Sequence, residues 1–171
     1  QGIYIQLNEN MQKLAALCSG VIEMLDAPPG SPEDPGVYIV KPTSYTLAST
    51  DENNDLVTYS GDLTSRIAAD DVIVLEKSDG TMHQFTVASI NYSSPTTTIY
   101  TTEDISGGSW EGTMHHADGT FNSHEWAIAH YYDGGWNYYD PTKGQMMMVI
   151  TDGSSRGFQI YYFDGNQWVE Y

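Results

Sequence analysis

Tryptophan and tyrosine side chains recur in the last third of the chain in short motifs built around an Asp-Gly pair, such as Tyr132-Asp133-Gly134-Gly135-Trp136 and Phe163-Asp164-Gly165-Asn166-Gln167-Trp168. An exposed aromatic ring can pack against the apolar C–H face of a sugar, so these motifs are candidates for glycan recognition. The candidate glycan-binding residues are Trp110, Trp136, Tyr138, Tyr139 and Trp168. The alternative, which we favour, is that these rings pack across strands inside hairpins, because half the residues of a strand face inward.

Other chemically useful side chains form no recognisable site in the sequence. Asp51, Asn53 and Asp55 match the opening of a calcium-binding loop, but Leu56 and Asp62 stand where that loop requires Gly and a bidentate Glu. His115, His116, His124 and His130 have no spacing typical of a compact metal site, although a trimer axis could gather one His from each copy. We therefore predict no metal and no cofactor.

No nucleophile is singled out either. Cys18 lies on an apolar stripe without a neighbouring base, and the serines occupy turns rather than a strand-to-helix elbow. Paired carboxylates suited to polysaccharide hydrolysis are always available among 23 acidic residues, but no pair stands out. The sequence predicts a protein that is not an enzyme, with a polysaccharide depolymerase as the weaker alternative.

The net charge of the chain limits the classes of partner that it can bind. The chain has 23 acidic and 6 basic residues and a formal net charge of -17. Such a chain repels phosphate backbones and anionic lipid surfaces, which predicts no nucleic-acid partner. Its apolar runs are too short to span a bilayer, so we also predict no membrane insertion.

The first secondary-structure element that the sequence indicates is an N-terminal apolar stripe. Its residues recur at alternating spacings of three and four positions. This spacing predicts an N-terminal helix over residues 1–27, ended by Pro28-Pro29. The helix could lie on its own domain or form a trimeric coiled coil. The predicted oligomerisation residues are Leu7, Met11, Leu14, Cys18, Val21 and Leu25.

The rest of the chain is rich in turn residues and aromatics, which predicts a mainly β fold of antiparallel hairpins. We expect a parent β domain over residues 28–45 and 105–171, split by an inserted β module, a small barrel or sandwich, over residues 46–104. The run Met146-Met147-Met148 is interpreted as core or interface filling, since thioether side chains adapt to irregular gaps.

Two groups of motifs resemble known phage proteins. Ala27-Pro28-Pro29-Gly30-Ser31-Pro32, Gly36-Val37-Tyr38-Ile39-Val40 and the Asp-Gly hairpins resemble an uncharacterised domain family found in tail fibres and head spikes of tailed phages and in gene-transfer particles. The stretch from Gly61 to Arg66, with that from Tyr92 to Ile99, resembles a recurrent β module of phage fibre proteins. Members of the family usually connect the two halves of the domain more briefly.

The resemblance implies a structural or adhesive component of a tailed-phage or phage-like particle, such as a tail fibre, head fibre or spike. It implies a homotrimer at the virion surface, in contact with other virion proteins. A host-surface glycan-binding module, using exposed Trp and Tyr, is the alternative. The family carries no known catalytic residues, so none is transferred to this chain.

Overall fold

The structure, a computed structural model, describes residues 23–151 and 157–171. The predicted mainly β class is confirmed, with antiparallel pairing dominant. One 3-10 turn, Gly119–Phe121, accompanies the strands. The strands are β1 (Glu23–Leu25), β2 (Gly36–Val40), β3 (Thr43–Thr46), β4 (Ser49–Asp51), β5 (Leu56–Ser60), β6 (Val72–Lys77), β7 (Met82–Ser93), β8 (Thr96–Thr101), β9 (Trp110–His116), β10 (Ile128–Tyr132), β11 (Gly135–Tyr139), β12 (Met146–Thr151), β13 (Gly157–Phe163) and β14 (Trp168–Glu170).

The chain divides into two compact units. Among the described residues, the first comprises 23–41, 126–151 and 157–171, and the second is the continuous segment Pro42–Glu125. The boundaries differ from the predicted ones because β3 pairs with β9, and β9 with β6, inside the second unit. Residues 42–45 and 105–125 therefore belong with the middle segment rather than with the parent domain.

The first unit contains two small sheets. Strands β1, β2, β10 and β11 form one sheet in that order, with β1 parallel to β2 and the other pairs antiparallel. Strands β12, β13 and β14 form an antiparallel meander. All residues of β2 are buried, which fits a central strand covered on both faces.

The predicted helix is wrong at its C-terminal end. Glu23–Leu25 is a strand in register with Tyr38–Val40, and the carbonyl of Leu25 accepts a hydrogen bond from the amide of Lys41 at 2.8 Å. Pairing with the edge of β2 satisfies backbone groups that this edge would otherwise expose, and it overrides the local helical spacing. The other stripe residues, Leu7, Met11, Leu14, Cys18 and Val21, lie outside the described residues.

The second unit is one antiparallel sheet of seven strands in the order β3-β9-β6-β7-β8-β5-β4, curved into a half-barrel. Register shifts between Leu75 and Lys77, and between Val87 and Ser89, bend the sheet, as β-bulges do. One face of this sheet carries the apolar cluster of the unit. The buried members are Tyr45, Leu47, Val57, Leu63, Ile67, Ile73, Leu75, Phe85, Val87, Ile99, Ile105 and Met114.

In the part of the chain that the structure describes, no helix is long and apolar enough to cross a membrane.

Candidate functional site

Four aromatic side chains share one face of the four-stranded sheet in the first unit. Tyr131 pairs with Trp136 across the β10–β11 hairpin, while Ala129 pairs with Tyr138 on one side and with Tyr38 on the other. Cross-strand partners point to the same face of a sheet, so these rings gather on one side. We call Tyr38, Tyr131, Trp136 and Tyr138 the aromatic face.

Trp136 lies at the centre of the aromatic face. Its ring centroid is 5.0 Å from that of Tyr131 and 5.6 Å from that of Tyr38, in tilted and edge-on contacts. Tyr138, two residues along the same edge strand, lies 6.5 Å away with its ring within 17° of parallel. Tyr38 is buried at 3% exposure, whereas Tyr131, Trp136 and Tyr138 are half-buried. The face thus has a buried base and a partly accessible outer layer.

Local hydrogen bonds hold the aromatic face in place. Asp133 and Gly134 form the two-residue turn with φ values of 52° and 75°, the left-handed pair that a type I′ hairpin requires. The carboxylate of Asp34 accepts hydrogen bonds from both turn amides, at 3.2 and 3.3 Å. The hydroxyl of Tyr38 accepts one from the amide of Glu33 at 3.0 Å. Acidic residues therefore border a preorganised aromatic surface.

Trp168 is not a surface residue, which corrects its prediction as a glycan contact. It is 7% exposed, and its ring packs 5.5 Å from that of Phe163. Its indole N–H donates to the carbonyl of Trp126 at 2.7 Å. A buried indole normally finds such an acceptor, so Trp168 stabilises the core of the first unit.

Trp110 is a structural residue of the second unit. Its indole N–H donates to the carbonyl of Ile105 at 3.0 Å, and its ring meets that of Phe85 edge-on at 5.4 Å. The ammonium group of Lys77 lies 5.4 Å from its ring centroid, a cation–π contact. It borders an open groove of about 460 Å³ that Glu52 and Glu111 also line. The ring is thus held in place by the protein and is partly accessible, and its role as a glycan contact stays a prediction.

Tyr139 faces the opposite side of β11 from Trp136 and Tyr138, because neighbouring residues of a strand alternate. It is paired with Ile128, which is buried on the core side. Of the five candidate glycan contacts, only Trp136 and Tyr138 share a surface. Tyr38 and Tyr131 were missed. The Asp133-Gly134 turn could have identified Tyr131 as the partner of Trp136, but nothing local indicates Tyr38.

A polar cluster in the second unit bears on the enzymatic alternative. The hydroxyl of Ser44 lies 2.9 Å from Nδ1 of His115, and a carboxylate oxygen of Glu76 lies 3.7 Å from Nε2. Burial lowers the pKa of His115 to about 4, which makes its imidazole a weak base. A nucleophilic triad needs a basic imidazole and a hydrogen-bonded carboxylate, and 3.7 Å is too long for such a bond. The geometry fits a cross-strand structural contact.

The buried side chain of His116 lies between two partly exposed carboxylates. Its Nδ1 lies 3.0 Å from a carboxylate oxygen of Asp118, and its Nε2 lies 3.4 Å from one of Asp71. The other oxygen of Asp118 accepts two hydrogen bonds from Arg66, at 2.7 and 3.1 Å. Opposite charges and hydrogen bonds thus tie the loop before β6 to the end of β9.

The described residues contain no group of three or more His, Cys, Asp or Glu side chains placed to hold a metal ion. The carboxylate of Asp51 accepts hydrogen bonds from the Asn54 side chain and the Asn53 amide, which lower its pKa. Asp55 accepts a hydrogen bond from the amide of Ile105. These oxygens stabilise the loop between β4 and β5.

Comparisons with protein-family models, with curated proteins and with solved structures gave no match for this chain.

Proposed function

We propose that this chain is a structural and adhesive component of a tailed-phage or phage-like particle, such as a tail fibre, head fibre or spike, assembled as a homotrimer. The motif resemblance supports the kind of particle. The fold supports a display role, since curved antiparallel sheets are rigid supports for surface residues. In this proposal the chain has no catalytic activity.

The adhesive surface in this proposal is the aromatic face, and its ligand is a glycan of the host surface. The observation that carries it is the pair of half-buried, nearly parallel rings of Trp136 and Tyr138 on an edge strand. Sugars present apolar C–H faces bordered by hydroxyls, which aromatic rings and neighbouring carboxylates can bind together. The Asp34 carboxylate, which accepts hydrogen bonds from the two turn amides of this hairpin, supplies such a group.

Binding to immobilised bacterial O-chain and capsular polysaccharides, with Trp fluorescence as a second readout, tests this surface. We expect Trp136→Ala and Tyr138→Ala each to weaken binding about tenfold or more, equivalent to about 1.4 kcal/mol. Tyr132→Ala is the matched control, because Tyr132 is 49% exposed on the opposite face of the same hairpin. Equal affinities for all variants, or no binding by the wild type, contradict the adhesive proposal.

Two further readouts separate the alternatives. A polysaccharide depolymerase would reduce the viscosity of a bound polymer, whereas an adhesin leaves viscosity unchanged. Light scattering at several concentrations measures the number of copies. A stable trimer that the double variant Leu14→Asp, Val21→Asp loses shows that the N-terminal stripe is necessary for trimerisation, without showing that it is sufficient, and a monomeric wild type contradicts the homotrimer.

A further inference from the structure

The three-stranded sheet of the first unit has two apolar faces. Met146 pairs with Tyr162 and Met148 with Ile160, while Tyr162 also pairs with Val169. The amide of Tyr171 donates to the carbonyl of Ile160 at 2.9 Å, which continues the register by one residue. These side chains therefore lie on the same side of the sheet. We call Met146, Met148, Ile160, Tyr162, Val169 and Tyr171 the methionine face.

The methionine face is accessible, whereas several apolar residues on the other side of the same sheet are buried. Met146 is 53% exposed, Met148 45%, Ile160 36% and Tyr171 86%. On the opposite side, Met147, Val149, Phe163 and Trp168 are all less than 9% exposed. A small antiparallel sheet usually carries polar residues on its outer face, so a contiguous apolar outer face indicates an interaction surface.

Charge identifies the kind of partner. None of the six residues of the methionine face is Asp, Glu, Lys or Arg, in a chain with 23 acidic and 6 basic residues. A basic partner would gain most from the carboxylates elsewhere on the surface. A partner that is itself strongly acidic can approach closely only where the surface is uncharged. Another copy of this chain meets that condition and offers the same apolar residues in return.

We propose that the methionine face is the surface through which copies of this chain associate, with the methionine faces of neighbouring copies in contact around a shared axis. Methionine suits such a contact, because its flexible, polarisable side chain adapts to irregular gaps. This inference takes the number of copies from the proposed homotrimer. It does not depend on glycan binding, which is assigned to a different sheet.

Light scattering of the full chain at several concentrations tests the proposal. We expect Met148→Glu and Met148→Lys each to be monomeric, because like charges then meet at the contact. An equimolar mixture of these two variants should recover the mass of the oligomer. The matched control is Tyr100→Glu, which places the same charge at a 37% exposed position on β8 of the second unit.

Each result of these measurements either supports or overturns the proposed interface. Unchanged mass for Met148→Glu, a monomeric wild type, or a mixture that stays monomeric overturns the proposal. Circular dichroism checks folding, and if Met148→Glu unfolds, Tyr171→Glu at the 86% exposed position replaces it. Polysaccharide binding is measured on the same samples. Its loss in Trp136→Ala with unchanged mass separates failure of the adhesive function from failure of this interface.

Discussion

At the residue scale, burial acts in opposite directions on two titratable side chains of the second unit. Loss of hydration raises the pKa of Glu125 to about 7 and lowers that of His115 to about 4. Both shifts favour the neutral form. The amide of Ser123 and the side chain of Gln84 donate to Glu125, but these hydrogen bonds only partly offset its desolvation.

Glu125 should make stability depend on pH. Between its unfolded pKa of about 4.5 and its folded pKa of about 7, the folded state holds the proton more tightly, so its contribution to stability is lost as pH rises. We expect Glu125→Gln to remove this dependence and to exceed the wild type in unfolding free energy by on the order of 3 kcal/mol at pH 8.

Urea unfolding at pH 5, 6, 7 and 8 measures this difference. His115 acts with the opposite sign between pH 4 and 6.5, but it is common to both proteins and cancels in the comparison. Parallel pH profiles for the wild type and Glu125→Gln would show that Glu125 ionises normally in the folded state.

At the element scale, the β10–β11 hairpin positions the outer rings of the aromatic face. The Asp133-Gly134 turn sets a register in which Tyr131 and Trp136 are opposite each other. A slip of one residue would send Trp136 and Tyr138 to the opposite face of the sheet. The hydrogen bonds from the turn amides to Asp34 fix the tip of the hairpin as well.

Neighbouring glycines of this turn should respond differently to the same substitution. Gly134 has φ of 75°, a conformation that costs an alanine about 1 kcal/mol. Gly135 lies in β11, and a Cβ added there would be 3.9 Å from its nearest neighbour, the carbonyl oxygen of Tyr132. We expect Gly134→Ala to lower the unfolding free energy by about that amount, and Gly135→Ala to leave it nearly unchanged. Chemical denaturation of both variants measures the effect, and equal losses would contradict the turn assignment.

At the scale of the whole molecule, the two units differ in how the chain forms them. The second is continuous in sequence, and all residues of its apolar cluster lie within Pro42–Glu125. The first is assembled from segments on both sides of the second. A unit with its own core and continuous chain has what independent folding requires.

We therefore expect residues 42–125, expressed alone, to fold and to unfold cooperatively on heating. Ile73 is fully buried in the cluster, so Ile73→Ala should destabilise this fragment by about 2–5 kcal/mol while preserving its fold. Near-ultraviolet circular dichroism and thermal melts provide the measurement. A broad, noncooperative transition in the unsubstituted fragment would show that it needs the first unit.

The sequence by itself determined the features with short-range causes. Turn residues and aromatic content predicted the mainly β class, and the Asp133-Gly134 turn fixes the pairing of Tyr131 with Trp136, because positive φ at two adjacent positions specifies a hairpin. The excess of acidic residues is likewise established from the sequence alone. From the sequence, Met146-Met147-Met148 could fill either the core or an interface. The tertiary structure shows that Met147 is buried and that Met146 and Met148 on either side of it are exposed.

Only the tertiary structure decided what depends on distant partners. Glu23–Leu25 forms a strand because it pairs with the edge of β2. Trp168 lies in the core, where the carbonyl of Trp126 accepts its indole N–H. Tyr38 reached the aromatic face through pairing between β2 and β10, whose partners are far apart in sequence. Alternation gives two faces to every strand, but which face is covered depends on the elements that pack against it, and that is set by long-range contacts.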